Sequence, residues 1–334
     1  MASTLDPETI DGRWPRPTKS RKGPLLAFWN WIAKWADFIK IEHTIFALPF
    51  ALSSMALAAR ENHGWPGWRT FLLILAAMVT GRTCAMIFNR IVDRKFDAIN
   101  PRTALRHLPT GRISLVGAWT LWALSAAGFV ASAYALNRLC FYLSPVALFI
   151  LCFYSFTKRF TDFTHLFLGL TEGLVPIGAW IAVKGNFVLL PIQNGRLLLQ
   201  ESALLPLLLG IAVVFWLTGF DIIYAIQDYE FDKRHGLHSL VVRWGVKNAL
   251  LAAFLSHLIM WVLLGVFGFL ARFRVAYLIG IALIGACLVI EHWLARRRST
   301  RWLNIAFFRL NAIISTIFLI TTLTEIVFPW FTVR

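Results

Sequence analysis

Long apolar runs separated by short polar gaps set the pattern of this chain. A helix needs about 20 predominantly apolar residues to cross roughly 30 Å of hydrocarbon. Runs near that length fall at 42–59, 71–88, 113–135, 139–156, 165–183, 203–220, 249–271, 275–293 and 305–328. The pattern therefore predicts an all-α integral membrane protein with nine transmembrane helices. No Pro-, Gly- or Ser-rich linker interrupts the series, so residues 41–334 read as one domain. Ahead of it, Leu25–Lys40 mixes Trp29, Trp31 and Trp35 with Lys34, Asp37 and Lys40, which suits a helix lying in the headgroup layer. Residues 1–40 thus read as a cytoplasmic tail and an interfacial amphipathic helix. The first twenty-four residues are polar and rich in Pro and Arg, with no following small-residue cleavage site, and do not resemble a signal peptide.

Composition agrees with the pattern. Hydrophobic residues make up 58% of the 334 and the mean hydropathy is +0.65. Charged residues reach only 15%, against about 25% in soluble domains. The net charge of +16 would suggest nucleic acid in a soluble chain. Here the basic residues sit in gaps between spans, and no basic soluble domain exists to bind nucleic acid. Counted gap by gap, 23 Lys and Arg fall on the side of the N-terminus and 8 on the other. That imbalance predicts a cytoplasmic N-terminus and a C-terminus outside. The four cysteines lie in or beside apolar runs without a CxxC pair, and read as small apolar residues rather than as disulfides or a zinc site.

Two aspartate clusters interrupt the apolar picture, both on the predicted cytoplasmic side. Asn89, Asp93 and Asp97 follow the second run at intervals of four, and Asp228 and Asp232 follow the sixth. Residues four apart share a helical face, and Asp221 lies seven positions before Asp228 on the same stripe. Carboxylates about 4 Å apart repel by roughly 1 kcal/mol in water and about 4 at an effective dielectric of 20, so such clusters call for cations. Paired oxygens of this kind suit Mg²⁺, which takes few protein ligands and completes its shell with phosphate and water. The polyanion natural to a bilayer is a lipid diphosphate. Basic partners are at hand in Arg82, inside a span and seven residues before Asn89, in Lys158 and Arg159 after the fourth run, and in Arg94, Lys95, Arg102 and Arg106. An intramembrane charge costs at least about 2.5–3.5 kcal/mol and usually marks a site.

These residues resemble the UbiA superfamily of intramembrane aromatic prenyltransferases along nearly the whole chain. The matching pieces are Arg82…Asn89…Asp93-Arg-Lys-Phe-Asp97, then Arg102-Thr103…Arg106…Leu108-Pro109…Gly111, then Tyr154…Phe156…Lys158-Arg159…Thr161, then Gly219-Phe220-Asp221…Tyr224…Gln227-Asp228…Asp232, continuing to Gly236 and Ser239. The resemblance implies nine helices around a central cavity and two Mg²⁺ ions bridged by a polyprenyl diphosphate. It implies Asp93, Asp97, Asp228 and Asp232 as metal ligands, with Asn89, Arg82, Arg102 and Tyr224 binding substrate and Lys158 and Arg159 neutralising the leaving diphosphate. Asp221 is a candidate to accept the proton of the phenol or ring; a structural or metal-side carboxylate is the other reading. The implied partners are a polyprenyl diphosphate, an aromatic acid acceptor and the bilayer, in the inner membrane with the active site facing the cytoplasm.

The acceptor most in keeping with the resemblance is 4-hydroxybenzoate, as in respiratory quinone synthesis. Two departures point to a distinct branch: Arg90 stands where an Asp usually follows the first Asn, and Arg106-His107-Leu108 replaces Arg-Pro-Leu. The segment from Ile41 to Phe50 resembles that branch, which is also associated with 1,4-dihydroxy-6-naphthoate and menaquinone. There Glu42 and His43 are candidates to contact the acceptor, or to cap the helix. Heme-type and chlorophyll-type prenylation need a macrocycle and different motif wording. A cation-coupled transporter is the rival of another class, but transport sites favour acids near the midplane and these lie at span ends. Glu172, acidic within the fifth run, has no evident task. His235 and His238 read as loop residues, and Glu291, His292 and Glu325, near span ends, need no special role.

Overall fold

The computed structural model describes residues 24–39, 44–187, 192–193, 196–197, 201–297, 302–303 and 305–328. Its elements are α1 (Pro24–Ile39), α2 (Thr44–Ala58), α3 (Trp68–Ile99), α4 (Leu115–Leu136), α5 (Arg138–Phe153), α6 (Thr164–Lys184), α7 (Glu201–Ala225), α8 (Tyr229–Arg234), α9 (Leu240–Leu270), α10 (Val275–Ala295) and α11 (Asn311–Val327). Helical 3-10 turns extend α5 through Tyr154–Arg159 and link α7 to α8 through Ile226–Asp228, and a π-turn at Ile305–Leu310 leads into α11. The described residues include one antiparallel pair of two-residue strands, Ile192–Gln193 with Arg196–Leu197.

Local chemistry sets the helix ends. Ser114 and Ser239 cap α4 and α9 by accepting the amides of Gly117 and Val242, which satisfies donors that the first turn leaves orphaned. Asn137 caps α5 at Cys140 and also donates 2.9 Å to the Ile181 carbonyl of α6. Gly185, at φ 72°, closes α6 in the left-handed conformation that suits glycine.

Among the described residues, eight helical segments are long and apolar enough to cross a membrane. The sequence pattern predicted nine. The run at 42–59 forms α2, whose 15 described residues rise about 22 Å, short of roughly 30 Å. Large apolar side chains such as Leu105, Val116, Phe149, Phe269 and Leu278 face outward, as expected of a multi-pass membrane protein whose medium is lipid.

The segment Ala203–Arg234 is the central one: 72% of its apolar window is buried, against 11–44% for the other spans. It packs against α6 on one side and α9 on the other. The α6–α7 crossing is glycine-lined, and a Cβ on Gly173 would stand 2.8 Å from the Gly210 carbonyl oxygen. Such close backbone approach is how helices associate where apolar burial gives no net drive. Phe50 stacks on Phe318 and meets Trp216 at a tilt, with ring centroids 4.9 Å apart in each pair.

A buried polar network ties α7, α9, α10 and the π-turn together. Trp216 donates 2.7 Å to Asn311, and Asn311 donates 3.1 Å to Glu291 and to the carbonyls of Ala306 and Phe307. His257 contacts His292 at 3.0 Å and the Trp216 carbonyl at 3.1 Å. Glu291 and His292 therefore have a structural role that their positions near a span end did not announce. Glu325 likewise accepts the Tyr277 amide at 3.1 Å.

The crossing yields a stability test. Gly173→Ala forces its Cβ to within 2.6 Å of Val214, and overpacking of this kind costs about 1–3 kcal/mol. Gly178→Ala, on the same helix with nothing within 4 Å, is the control. Thermal unfolding in detergent should fall for the first variant and hold or rise for the second.

Candidate active site

One long helix carries the first cluster. Arg82, Asn89, Asp93 and Asp97 all lie on α3, so their spacing of seven, four and four does place them along one stripe. The second cluster is built differently. Asp221 is in the last turns of α7, Asp228 ends the 3-10 turn and Asp232 lies in the short helix α8. The single continuous stripe predicted for these three is thus broken at residues 226–228.

Each carboxylate has a partner. Arg102, on the loop after α3, grips Asp228 with both prongs, Nε to Oδ1 at 2.8 Å and Nη2 to Oδ2 at 2.5 Å. Asn100 adds a bond to Asp228 at 3.2 Å, and the Arg102 Nη1 donates 3.0 Å to the Tyr224 hydroxyl. Burial works against the Arg102 charge, yet Tyr224 and Asp228 outweigh it and hold its pKa above the ordinary arginine value. Tyr224 in turn packs on Phe307 with ring centroids 4.1 Å apart. Asp97 accepts from Arg106 at 2.7 Å, with Arg90 at 4.0 Å on its other oxygen.

Asp93 accepts from Asn89 at 3.0 Å and faces Arg159 at 3.7 Å. Lys158 stands 3.9 Å from Asp232. Neighbouring residues of one turn therefore reach the two aspartate clusters, Arg159 the first and Lys158 the second. The His238 amide donates 2.8 Å to the Lys158 carbonyl while its ring contacts Asp162 at 3.0 Å, so this loop histidine holds that turn in place.

A second tier lies deeper. Arg82 is two helical turns before Asn89, a rise of about 10 Å, and it donates to Glu172 of α6. Asp221 lies 2.6 Å from the Nδ1 of His165, also on α6. His165 and Glu172 are seven residues apart, so one face of α6 serves both α3 and α7. Glu172 acquires a partner that the sequence did not identify. His165, Asn100 and Phe307 are not among the residues that the sequence pattern marks. His165 is the first residue of its apolar run, and a polar side chain there was the one available signal.

Glu42 and His43 lie outside the described residues. Among the described residues, no three His, Cys, Asp or Glu side chains stand together as a ready metal cluster, because bases interleave the acids. The donor chemistry nevertheless fits a hard divalent ion. Carboxylates of both clusters border the Lys158–Arg159 turn, and the Asp232 Oδ2 is buried with no hydrogen-bond donor, a condition that oxygen-seeking Mg²⁺ would relieve. A hollow of about 280 Å³ beside α3 is lined by Ile91, Arg94, Lys95 and Arg159.

Comparison with known proteins places this arrangement. Residues 47–313 match the UbiA prenyltransferase family. The 4-hydroxybenzoate octaprenyltransferase of Tolumonas auensis is 28% identical over 235 residues, covering 70% of this chain and 77% of that protein. The enzyme of the same name from Actinobacillus pleuropneumoniae serotype 5b is 28% identical over 269 residues, covering 80% and 86%. The structure of a UbiA homolog from Aeropyrum pernix K1 aligns with a TM-score of 0.73 and 31% identity, over 85% of this chain and 98% of that one. A UbiA homolog from Archaeoglobus fulgidus, solved with GPP and Mg²⁺, shares the fold at a TM-score of 0.63 and 21% identity, over 88% and 99%. The chain belongs to the UbiA prenyltransferase family and is a multi-pass membrane prenyltransferase.

The Arg82–Glu172 pair predicts non-additive stability. Breaking a buried pair at one partner costs about 3–5 kcal/mol, whereas replacing both with apolar residues is close to neutral. Glu172→Leu should lower the unfolding midpoint in detergent more than the Arg82→Leu/Glu172→Leu double variant does. Equal losses in the two would mean the pair carries little coupling.

Proposed function

We propose that this protein transfers a polyprenyl group from its diphosphate to an aromatic hydroxy acid, with 4-hydroxybenzoate as the acceptor. The reading rests on one observation above all. Adjacent residues Lys158 and Arg159 stand 3.9 Å and 3.7 Å from the two aspartate clusters, which brings both clusters to one basic centre. Anionic side chains bracketing cations at the end of two apolar helices suit a metal-bound diphosphate with its hydrocarbon tail in the bundle.

Asp93 and Asp97 on one side, and Asp228 and Asp232 on the other, would hold Mg²⁺. When bound, the metal stabilises the charge that develops on the departing diphosphate. Lys158 and Arg159 neutralise that same charge, preorganised where it appears. Asn89 orients Asp93, and Arg102 with Tyr224 holds Asp228 and can turn to the diphosphate. Cleavage of the allylic C–O bond leaves a carbocation, which the ring carbon ortho to the phenol attacks. The ring then loses its proton and regains aromaticity. Asp221, in the last turns of α7, would take the phenol or ring proton.

The names of the octaprenyltransferase relatives support 4-hydroxybenzoate and quinone synthesis. Arg90 favours a second acceptor, 1,4-dihydroxy-6-naphthoate: it is buried 4.0 Å from Asp97 where the benzoate pattern has an acid. In this reading residues 41–334 form one catalytic domain around a central cavity. Residues 1–40 comprise a tail and an interfacial helix, the spans number nine, and the site faces the cytoplasm of the inner membrane.

Membranes containing the protein should convert a long-chain prenyl diphosphate and 4-hydroxybenzoate to product in an EDTA-sensitive reaction. Product from 1,4-dihydroxy-6-naphthoate alone would move the protein to the second acceptor. Asp93→Ala and Asp228→Ala should each abolish turnover with the protein still folded in detergent. Normal activity in either variant would overturn the bracketed-diphosphate reading.

A further inference from the structure

The pairing of Asp221 with His165 goes beyond the residues that bind diphosphate. His165 is fully buried on α6, whereas the Asp221 side chain keeps 20% of its surface open. The Nδ1 of His165 lies 2.6 Å from Oδ2 of Asp221. Among the described residues this is the only hydrogen bond of the Asp221 carboxylate, and the Nε2 of His165 has none at all. With a carboxylate as acceptor, Nδ1 carries the proton and donates it. One oxygen of Asp221 is then fixed and the other is free to accept.

The backbone around the pair is held rigidly. Thr218 of α7 donates to the Val214 carbonyl at 2.7 Å and reaches the His165 carbonyl at 3.4 Å. One turn along α6, a Cβ on Gly169 would stand 2.6 Å from the Val214 carbonyl oxygen, so the two helices cannot slide apart without losing this contact. Thr164, next to His165, shares a 2.7 Å bond with Thr157, and Thr157 adjoins Lys158. The element that presents Lys158 and the one that presents His165 are thus joined by a buried bond. A purely structural ion pair has no reason to leave one carboxylate oxygen without a hydrogen bond and the distal nitrogen unmatched, since an unsatisfied buried polar atom costs about 1–3 kcal/mol.

We propose that His165 is the positioning residue for Asp221, holding one carboxylate oxygen so that the other meets the acceptor's proton. This rests on the prenyl-transfer reading given above. The proton passes from the phenol or ring carbon to Asp221, the electron pair stays with the ring, and His165 keeps its own proton throughout.

The test uses the full-length protein in membranes, with a long-chain prenyl diphosphate, Mg²⁺ and whichever of 4-hydroxybenzoate or 1,4-dihydroxy-6-naphthoate the wild type converts. His165→Leu should lower kcat by about 100-fold, the scale of a misplaced catalytic group. The KM for prenyl diphosphate should stay within about twofold, because that binding is made elsewhere. His165→Asn, whose amide can replace the Nδ1 donor, should recover most of the rate. His165→Gln, whose amide reaches the Nε2 position instead, should not, and this contrast holds even if the leucine variant fails to fold. In an Asp221→Asn background, His165→Leu should add no further loss, since residues acting as a unit are non-additive. Wild-type kcat in His165→Leu, equal rates for the Asn and Gln variants, or losses that multiply with Asp221→Asn would each overturn the inference while leaving prenyl transfer intact. No product from the wild type with either acceptor would overturn both.

Discussion

Everything in this protein's working end follows from the cost of placing carboxylates beside hydrocarbon. Five aspartates gather at the ends of α3 and α7, and each is compensated by a side chain from another segment. The bidentate Arg102–Asp228 pair is the most developed case, because a rigid guanidinium fork satisfies both oxygens at once. Through Tyr224 and Phe307 that pair reaches the π-turn before α11. The turn is itself held by Asn311, Glu291 and Trp216. The charge compensation of the site and the packing of the distant helices are therefore one connected structure.

The same compensation explains how the site is layered. Near the aqueous end the acids are met by flexible or partly exposed bases, Lys158, Arg159 and Arg106. Such bases can change partner when an anion with its own cations arrives. Two turns deeper the pairs are tighter and drawn from a single face of α6, with Glu172 against Arg82 and His165 against Asp221. The glycine-lined α6–α7 crossing keeps that face at a fixed distance. The outer layer is suited to exchange ligands and the inner one to hold geometry.

Much of this was legible in the residues alone. Runs of apolar length located the helices, and the intervals between Asn89, Asp93 and Asp97 gave their shared face because α3 is unbroken through them. The same rule failed for Asp221, Asp228 and Asp232, since a 3-10 turn resets the helical phase at 226–228 and no glycine or proline marks it. Pairings across helices were out of reach. Nothing in the run from Thr164 to Lys184 tells that His165 and Glu172 face different partners seven residues apart. The role of Glu291 was hidden for the same reason: its partner Asn311 is 20 residues away on another element. For the first run, the described residues give the 15-residue helix α2, and apolar composition alone does not fix where a helix begins.

The central claim is that the aspartates at this basic centre accept a diphosphate only together with a divalent metal. Calorimetric titration of the detergent-solubilised protein with a non-cleavable prenyl thiolodiphosphate tests it most directly. The account predicts binding in Mg²⁺ that disappears in EDTA and in Asp228→Asn. Equal affinity with and without the metal would contradict it.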